Sequence, residues 1–321
     1  MEDMESYVAA AAAAVSSFDM EIRSMRLQHA TSLAGHAGVE EAAGGGGGRS
    51  GQRDGGGGGR KAGERVWAVV NTTSDGLTQL ATLHSAEEIA FVKRVIDAMF
   101  EKYNTPRIEA LCLDSMQANK LRIPPPPSED TTMVDDNDED EDGTTQQQQQ
   151  PTQTLKGLKS SEAEAVMHSM VDEGWFEKTR EGLYMLSSRA LLELRSWLVE
   201  AYNDPDAAEG EWRRVKHCEA CREIVTVGKR CPERDCHMRL HEICDDAFWR
   251  TRRDRACPKC KTTWPRGEEH RSFVGPKAIT ETEAYQRGRR RSGKARNSNL
   301  VEQIMHEDEE DEDPEGDDDE E

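Results

Sequence analysis

The stretch CEACREIVTVGKRCPERDCHMRLHEICDDAFWRTRRDRACPKC, residues 218–260, decides how this chain is read. It contains seven of the eight cysteines in 321 residues. The thiols and one imidazole fall into four pairs: Cys218 with Cys221, Cys231 with Cys236, His241 with Cys244, and Cys257 with Cys260. Three of the four pairs have two intervening residues, a spacing that lets one tight turn aim two side chains at a common ion. Thiolate and imidazole donors in sets of four select tetrahedral zinc. Eight donors call for two ions. If alternate pairs combine in a cross-brace, Cys218, Cys221, His241 and Cys244 surround one, and Cys231, Cys236, Cys257 and Cys260 the other. Each set is closed without water, so the zinc is expected to be structural and no catalytic residue is expected. A segment this short and polar should draw most of its folding free energy from the metal. His241 is preferred to the neighbouring His237 because only His241 keeps the two-residue spacing to a cysteine. His217 and Cys112 read as bystanders, Cys112 on an apolar helix face. Unliganded buried cysteines are the alternative reading of the cluster.

Outward from this segment the chain is polar. Hydrophobic residues make up 35 %, aromatics 5 % and charged residues 33 %, with a mean hydropathy of -0.85. Such a chain cannot bury its whole length. The net charge of -21 is concentrated: residues 128–143 carry nine acids and 307–321 carry thirteen, with no bases in either run. The remainder sums to +1, so the acidity describes two segments, and nucleic acid stays open as a partner. No run reaches the roughly 18 apolar residues of a membrane helix. The alanine-rich start follows Glu2, Asp3 and Glu5, unlike a secretory or transit peptide, which predicts a cytosolic or nuclear chain. In that reducing setting cysteines serve as metal ligands more often than in disulfides.

Residues 4–20 read as a helix. MEIRSMRLQ (20–28) and VWAVVNTT (66–73) read as strands flanking a glycine-rich insert at 35–63, a hairpin with an expanded tip. A helix over 85–103 opens with the capping-box spacing Ser85 and Glu88 and buries Ile89, Val92, Val95, Ile96 and Met99. A second helix is expected over 107–120. Residues 124–156, with four prolines, the acid run and five glutamines, form a linker by composition. A third helix begins at Ser161, with Glu164 as its capping-box partner, and ends at Gly174. WFEKTREGLYMLS (175–187) reads as a hairpin, and a helix over about 188–201 buries Leu191, Leu194, Trp197 and Leu198. Three helices, a hairpin and a helix are the order of a winged-helix domain. The fold class predicted is therefore α+β: a winged-helix region, one domain complete and one partial, followed by a two-zinc cross-brace domain. The boundaries are 1–76, 77–204 and 210–266, with a disordered basic then acidic tail over 267–321.

Four cysteines, a histidine and three cysteines is an order shared by plant-homeodomain fingers and variant RING domains. The former usually place tryptophan two residues before the seventh cysteine, where this chain has Arg255. Here CPKC is followed by Trp264, with Pro258 where RING domains carry the proline of their conjugating-enzyme groove.

The stretches VWAVVNTTSDGLTQLAT, SEAEAVMHSMVDEGWFEKTREGLYMLSSRALLEL and the module ending CPKCKTTWP, in that order, resemble the family of non-structural maintenance of chromosomes element 1, a subunit of the SMC 5/6 complex. The resemblance spans roughly residues 1–30 and 64–266. It implies two tandem winged-helix domains and a variant RING domain. The implied partners are element 3, a MAGE-type protein, element 4, the kleisin, and a ubiquitin-conjugating enzyme. The implied role is DNA repair and recombination on nuclear chromosomes, with RING-type ubiquitin transferase activity. Ile224, Trp249 and Pro258 are the expected conjugating-enzyme docking residues. Two departures stand out. The family's first winged-helix domain begins with helices not seen here, which puts binding of the MAGE-type partner in question. Ala220 stands where an active RING commonly has a large aliphatic residue, whose burial is worth about 1.5–3 kcal/mol. A non-catalytic architectural role and a histone-reading finger are the competing functions. Arg287, Arg289, Arg290, Arg291, Lys294 and Arg296 are candidate DNA-phosphate contacts or a nuclear localisation signal.

Overall fold

The computed structural model describes residues 2–29, 63–72, 83–125, 156–208, 210–291 and 304. The glycine-rich insert, the acidic and glutamine-rich linker, and the acidic tail lie almost wholly outside these residues, as do Lys294 and Arg296.

Alanine's helix propensity is expressed in α1 (Glu2–Ser16). Asp19, at φ 56, reverses the chain into β1 (Met20–Arg26). This strand pairs antiparallel with β2 (Arg65–Asn71), Met20 opposite Asn71 and Arg26 opposite Arg65. Period-two alternation buries Met25, Val66 and Val70 on one face and leaves Trp67 and Val69 on the other. The hairpin packs on α5 (Ser188–Glu193), where Arg23 Nη1 donates to the Leu192 carbonyl at 3.2 Å.

α2 (Ala86–Asp97) starts at the expected capping box: Ser85 Oγ accepts from the Glu88 amide, and Glu88 Oε2 accepts from the Ser85 amide at 2.8 Å. It runs into a π-helical turn over Ala98–Lys102. α3 (Ser115–Lys120), α4 (Ser160–Asp172), the hairpin β3 (Phe176–Lys178) with β4 (Tyr184–Leu186), α5, and α6 (Arg195–Tyr202) complete the winged-helix order. Phe91, Val92, Val95, Ile96, Met170 and Leu198 are fully buried at its centre. Phe100 stacks on Tyr202 with ring centroids 4.9 Å apart, and the Tyr202 hydroxyl donates to Asp97 at 2.7 Å.

Four local expectations are corrected. The helix expected over 107–120 forms only from Ser115. Residues 107–113 are irregular, with Leu111 at φ 49, because their backbone bonds elsewhere: Leu113 bridges Tyr184 of the wing, and Glu109 bridges Val274. Cys112 is fully buried, but in this non-helical run and not on a helix. The box expected at Ser161 and Glu164 slips by two residues, Glu162 accepting the Lys159 amide at 2.8 Å. The final helix breaks at Leu194 (φ -90, ψ 6) into α5 and α6.

The C-terminal unit contains β5 (Gly228–Arg230), β6 (Arg239–Leu240), α7 (Glu242–Arg250), β7 (Phe273–Val274), α8 (Lys277–Thr280) and α9 (Glu283–Arg291). Its sheet has the order β6-β5-β7, all antiparallel. The expected boundary at 266 is therefore corrected: residues 267–291 are ordered and supply the sheet's third strand. Val274 and Ile279 are buried and Tyr285 packs against the core, apolar anchors that the arginines around them masked in the composition. Arg287, Arg289, Arg290 and Arg291 thus lie on a helix. Among the described residues no helix is long and apolar enough to cross a membrane.

Candidate metal centres

Cys218 and Cys221 sit in a knuckle closed by Arg222, whose amide donates to the Cys218 carbonyl at 2.9 Å. Arg222 has φ 65, the left-handed region that disfavours a side chain. The knuckle of Cys257 and Cys260 repeats this: the Lys261 amide donates to the Cys257 carbonyl at 2.9 Å, and Lys261 has φ 66. Two non-glycine residues in this region cost roughly 1–3 kcal/mol each, strain that a bound ion would offset. His241 caps α7, and Cys244 follows in its first turn, its amide donating to the His241 carbonyl at 2.9 Å.

The eight expected donors come together in two groups, Cys218, Cys221, His241 and Cys244, and Cys231, Cys236, Cys257 and Cys260. In each, the ligand atoms all lie within 4.8 Å of one another. Cys231 Sγ is 3.4 Å from Cys260 Sγ, and Cys236 Sγ is 3.6 Å from Cys257 Sγ. A zinc–sulfur bond of about 2.3 Å sets tetrahedral edges of about 3.8 Å, so the groups fit that ion. The chain visits the centres alternately, as a cross-brace requires. His241 turns Nδ1 to Cys221 Sγ at 3.2 Å and to Cys244 Sγ at 3.9 Å, with Nε2 on the Ile224 carbonyl at 3.1 Å. His237 lies apart, edge-on to Trp212 at 6.4 Å.

Two buried carboxylates organise the rest. Asp245 of α7 accepts from Lys229 Nζ at 2.7 Å and from Trp264 Nε1 at 3.0 Å. Trp264 lies against Trp249 at 5.6 Å and His270 at 5.0 Å. Glu109 reaches in from the winged-helix unit. It accepts from Arg239 Nε at 2.7 Å and from Arg239 Nη2, with Lys216 Nζ at 3.5 Å and Arg230 Nη1 at 3.4 Å. Burial pushes the Glu109 carboxyl up, but the bond and charge of Arg239, with Lys216 and Arg230, hold it below the ordinary value of 4.5. Arg239, fully buried, also donates to the carbonyls of Cys236 at 2.6 Å and Met238 at 2.7 Å.

The expected docking trio is split. Ile224 is 3 % and Trp249 4 % exposed, so neither side chain lies at the surface that a docking role expects. The Ile224 carbonyl accepts from Gln28 after β1, and the Trp249 ring packs against those of Phe248 and Trp264. Pro258 remains half-exposed. It and exposed Ala220 flank the ion pair of Glu219 with Lys259, 3.6 Å long, which sets the two knuckles side by side. Sequence reasoning missed Gln28, Glu109, Arg239 and Asp245. The only available signals were an arginine between two apolar residues in the ligand run and an aspartate directly after Cys244.

A winged-helix protein carrying a RING-like, two-centre cross-brace is the class these features define. Residues 218–260 match the RING-like domain, and residues 1–194 match the family described as Nse1 non-SMC component of SMC5-6 complex. The chain belongs to that Nse1 family. It is similar to the non-structural maintenance of chromosomes element 1 homolog of Homo sapiens, 31 % identical over 110 residues, 34 % of this chain and 37 % of that protein. The Schizosaccharomyces pombe element 1 is 32 % identical over 108 residues, 34 % of this chain and 39 % of that protein. The chain thus spans little more than a third of these relatives. A solved chain described as Nse1-Nse3-Nse4 complex shares the fold at a TM-score of 0.50 and 17 % identity, covering 82 % of this chain and 80 % of that one.

Proposed function

We propose that this chain is the element 1 subunit of an SMC 5/6 complex, acting in DNA repair on nuclear chromosomes as a rigid platform. Its two ligand sets hold two structural zinc ions, and its winged-helix units contact the MAGE-type element 3 and the kleisin element 4. The observation that supports this best is the Glu109 cluster, which ties the metal module to the winged-helix unit through three buried cations. Co-expression of the full chain with elements 3 and 4 should give a stable ternary complex containing two zinc ions per element 1 chain. A chain that elutes alone, or metal-free, would sink the reading.

The RING-like match supports a second activity for the same subunit, ubiquitin-protein ligation. The module would hold a charged conjugating enzyme so that its thioester meets an amine, an effect of proximity and orientation that uses no catalytic side chain. Half-exposed Pro258 beside Ala220 is the docking surface in this reading. The assembled complex should support ubiquitin chain formation with at least one conjugating enzyme. Pro258→Ala should weaken it, and Ala220→Leu, which restores apolar area, should strengthen it. Silence across a conjugating-enzyme panel removes the ligase and leaves the platform.

A further inference from the structure

One backbone oxygen of the first metal centre serves two donors. The Ile224 carbonyl accepts from His241 Nε2 at 3.1 Å and from Gln28 Nε2 at 2.8 Å. Gln28 follows β1 of the N-terminal hairpin, 196 residues away in sequence, and is 3 % exposed. Its Oε1 accepts from the amides of Thr226 at 3.0 Å and Val227 at 2.9 Å, and from the Thr226 hydroxyl at 3.3 Å. One amide side chain therefore bonds the Ile224 carbonyl and the Thr226 and Val227 amides, while the Val225 amide donates to the Lys216 carbonyl. The opposite side of that loop is closed by Gly275, at φ +87, where a side chain would run into the Thr226 carbonyl. The neighbouring His29 fixes the approach, its Nε2 lying 2.7 Å from Glu177 Oε2 of β3.

An imidazole that binds a metal through one nitrogen usually donates from the other to an oxygen, which sets its tautomer and ring plane. With its proton on Nε2 toward Ile224, His241 turns Nδ1 to the side of Cys221 and Cys244, where its lone pair would reach an ion held by those sulfurs. The aim of that ring depends on where the carbonyl points. Three hydrogen bonds from Gln28 hold the loop, and a fourth shares the oxygen.

We propose that Gln28 is a positioning residue of the Cys218–Cys221–His241–Cys244 centre, coupling that ion's retention to the seating of the N-terminal hairpin. The proposal rests on the zinc reading above. Such coupling is reciprocal: what the hairpin contributes to metal binding, the metal contributes to hairpin docking.

The test uses the full chain loaded with zinc and follows release of both ions to a chromogenic chelator. Gln28→Met keeps the side-chain length and loses every hydrogen bond. Gln28→Glu keeps the acceptor for Thr226 and Val227 but sets a carboxyl against the Ile224 carbonyl. In both, one ion should leave faster, by up to the roughly 10–100-fold that losing an outer-shell partner takes from metal affinity, and the other at the wild-type rate. Adding Cys221→Ser should abolish the fast phase and no other. Asn203 bonds both backbone groups of Val215 at 2.9 Å, holding the module to α6 away from His241. Asn203→Leu is the control and should leave both rates unchanged. Equal acceleration of both ions by the Gln28 variants, or none, would overturn the proposal. A wild-type chain without zinc would instead overturn the metal reading on which it stands.

Discussion

Around α2, the side chains removed from water are Phe91, Val92, Val95, Ile96 and Met170, while in the metal module the largest are Trp264 and Arg239. Helical periodicity in the first unit gathers one apolar face, and burial at about 25 cal/mol per Å² then suffices to hold it. In the second, an arginine with no exposed surface occupies the centre and is satisfied by Glu109 and two carbonyls. The difference teaches where each unit is vulnerable. The winged-helix unit loses stability in increments as atoms are deleted. The metal module depends on a few polar hubs, each of which fails as a whole.

Chelation should break this comparison most sharply. Structural zinc in small modules contributes about 10–16 kcal/mol, so stripping it should unfold the region around residues 215–275 while α2 to α6 persist. Loss of amide protection confined to the module, read by hydrogen exchange, checks this. Equal loss in both units would contradict it.

Next in size is Glu109→Ala, which leaves three buried cations without their carboxylate. Removing one partner of a buried pair costs about 3–5 kcal/mol, read as a shift in the denaturant midpoint. Adding Arg239→Met should recover part of that loss, since the worst-placed charge goes with it. A double variant no more stable than Glu109→Ala would show that packing, and not charge, sets the cost.

Acid should act through the same hub. A carboxyl held below its unfolded value of 4.5 contributes stability fully present above that pH, lost as pH falls through the lowered folded value. Wild type should therefore lose more stability than Glu109→Gln below pH 4.5, a difference measured by comparing their denaturant midpoints between pH 6 and pH 4. Parallel curves would remove Glu109 as the acid-sensitive group.

The smallest effect belongs to the winged-helix unit. Ser85→Ala removes the α2 cap and should cost about 1 kcal/mol, detectable as a small drop in thermal midpoint with zinc release unchanged. A change in zinc release would mean that the α2 cap is coupled to the metal centres.

The parts legible in sequence are those set by local rules. The helix of Ile89 to Met99, the hairpin of Phe176 to Leu186 and the two strands around the glycine-rich insert follow from periodicity and turn residues. The capping box expected at Ser161 forms at Lys159 because the serine and glutamate spacing there offers more than one register, and the run 107–113 leaves the helix because Leu113 and Glu109 bridge Tyr184 and Val274. The C-terminal strand was hidden because two apolar residues among arginines carry no periodic signal.

By itself the sequence determined which eight side chains are the donors, because close pairing of cysteines and a histidine is a property of local turns, while their alternate grouping into two sets is set by the tertiary structure. Only the tertiary structure decided that Gln28 and Glu109 anchor the module and that Ile224 and Trp249 are covered. The two anchors depend on contacts between residues more than 100 positions apart, for which neither propensity nor spacing leaves a trace.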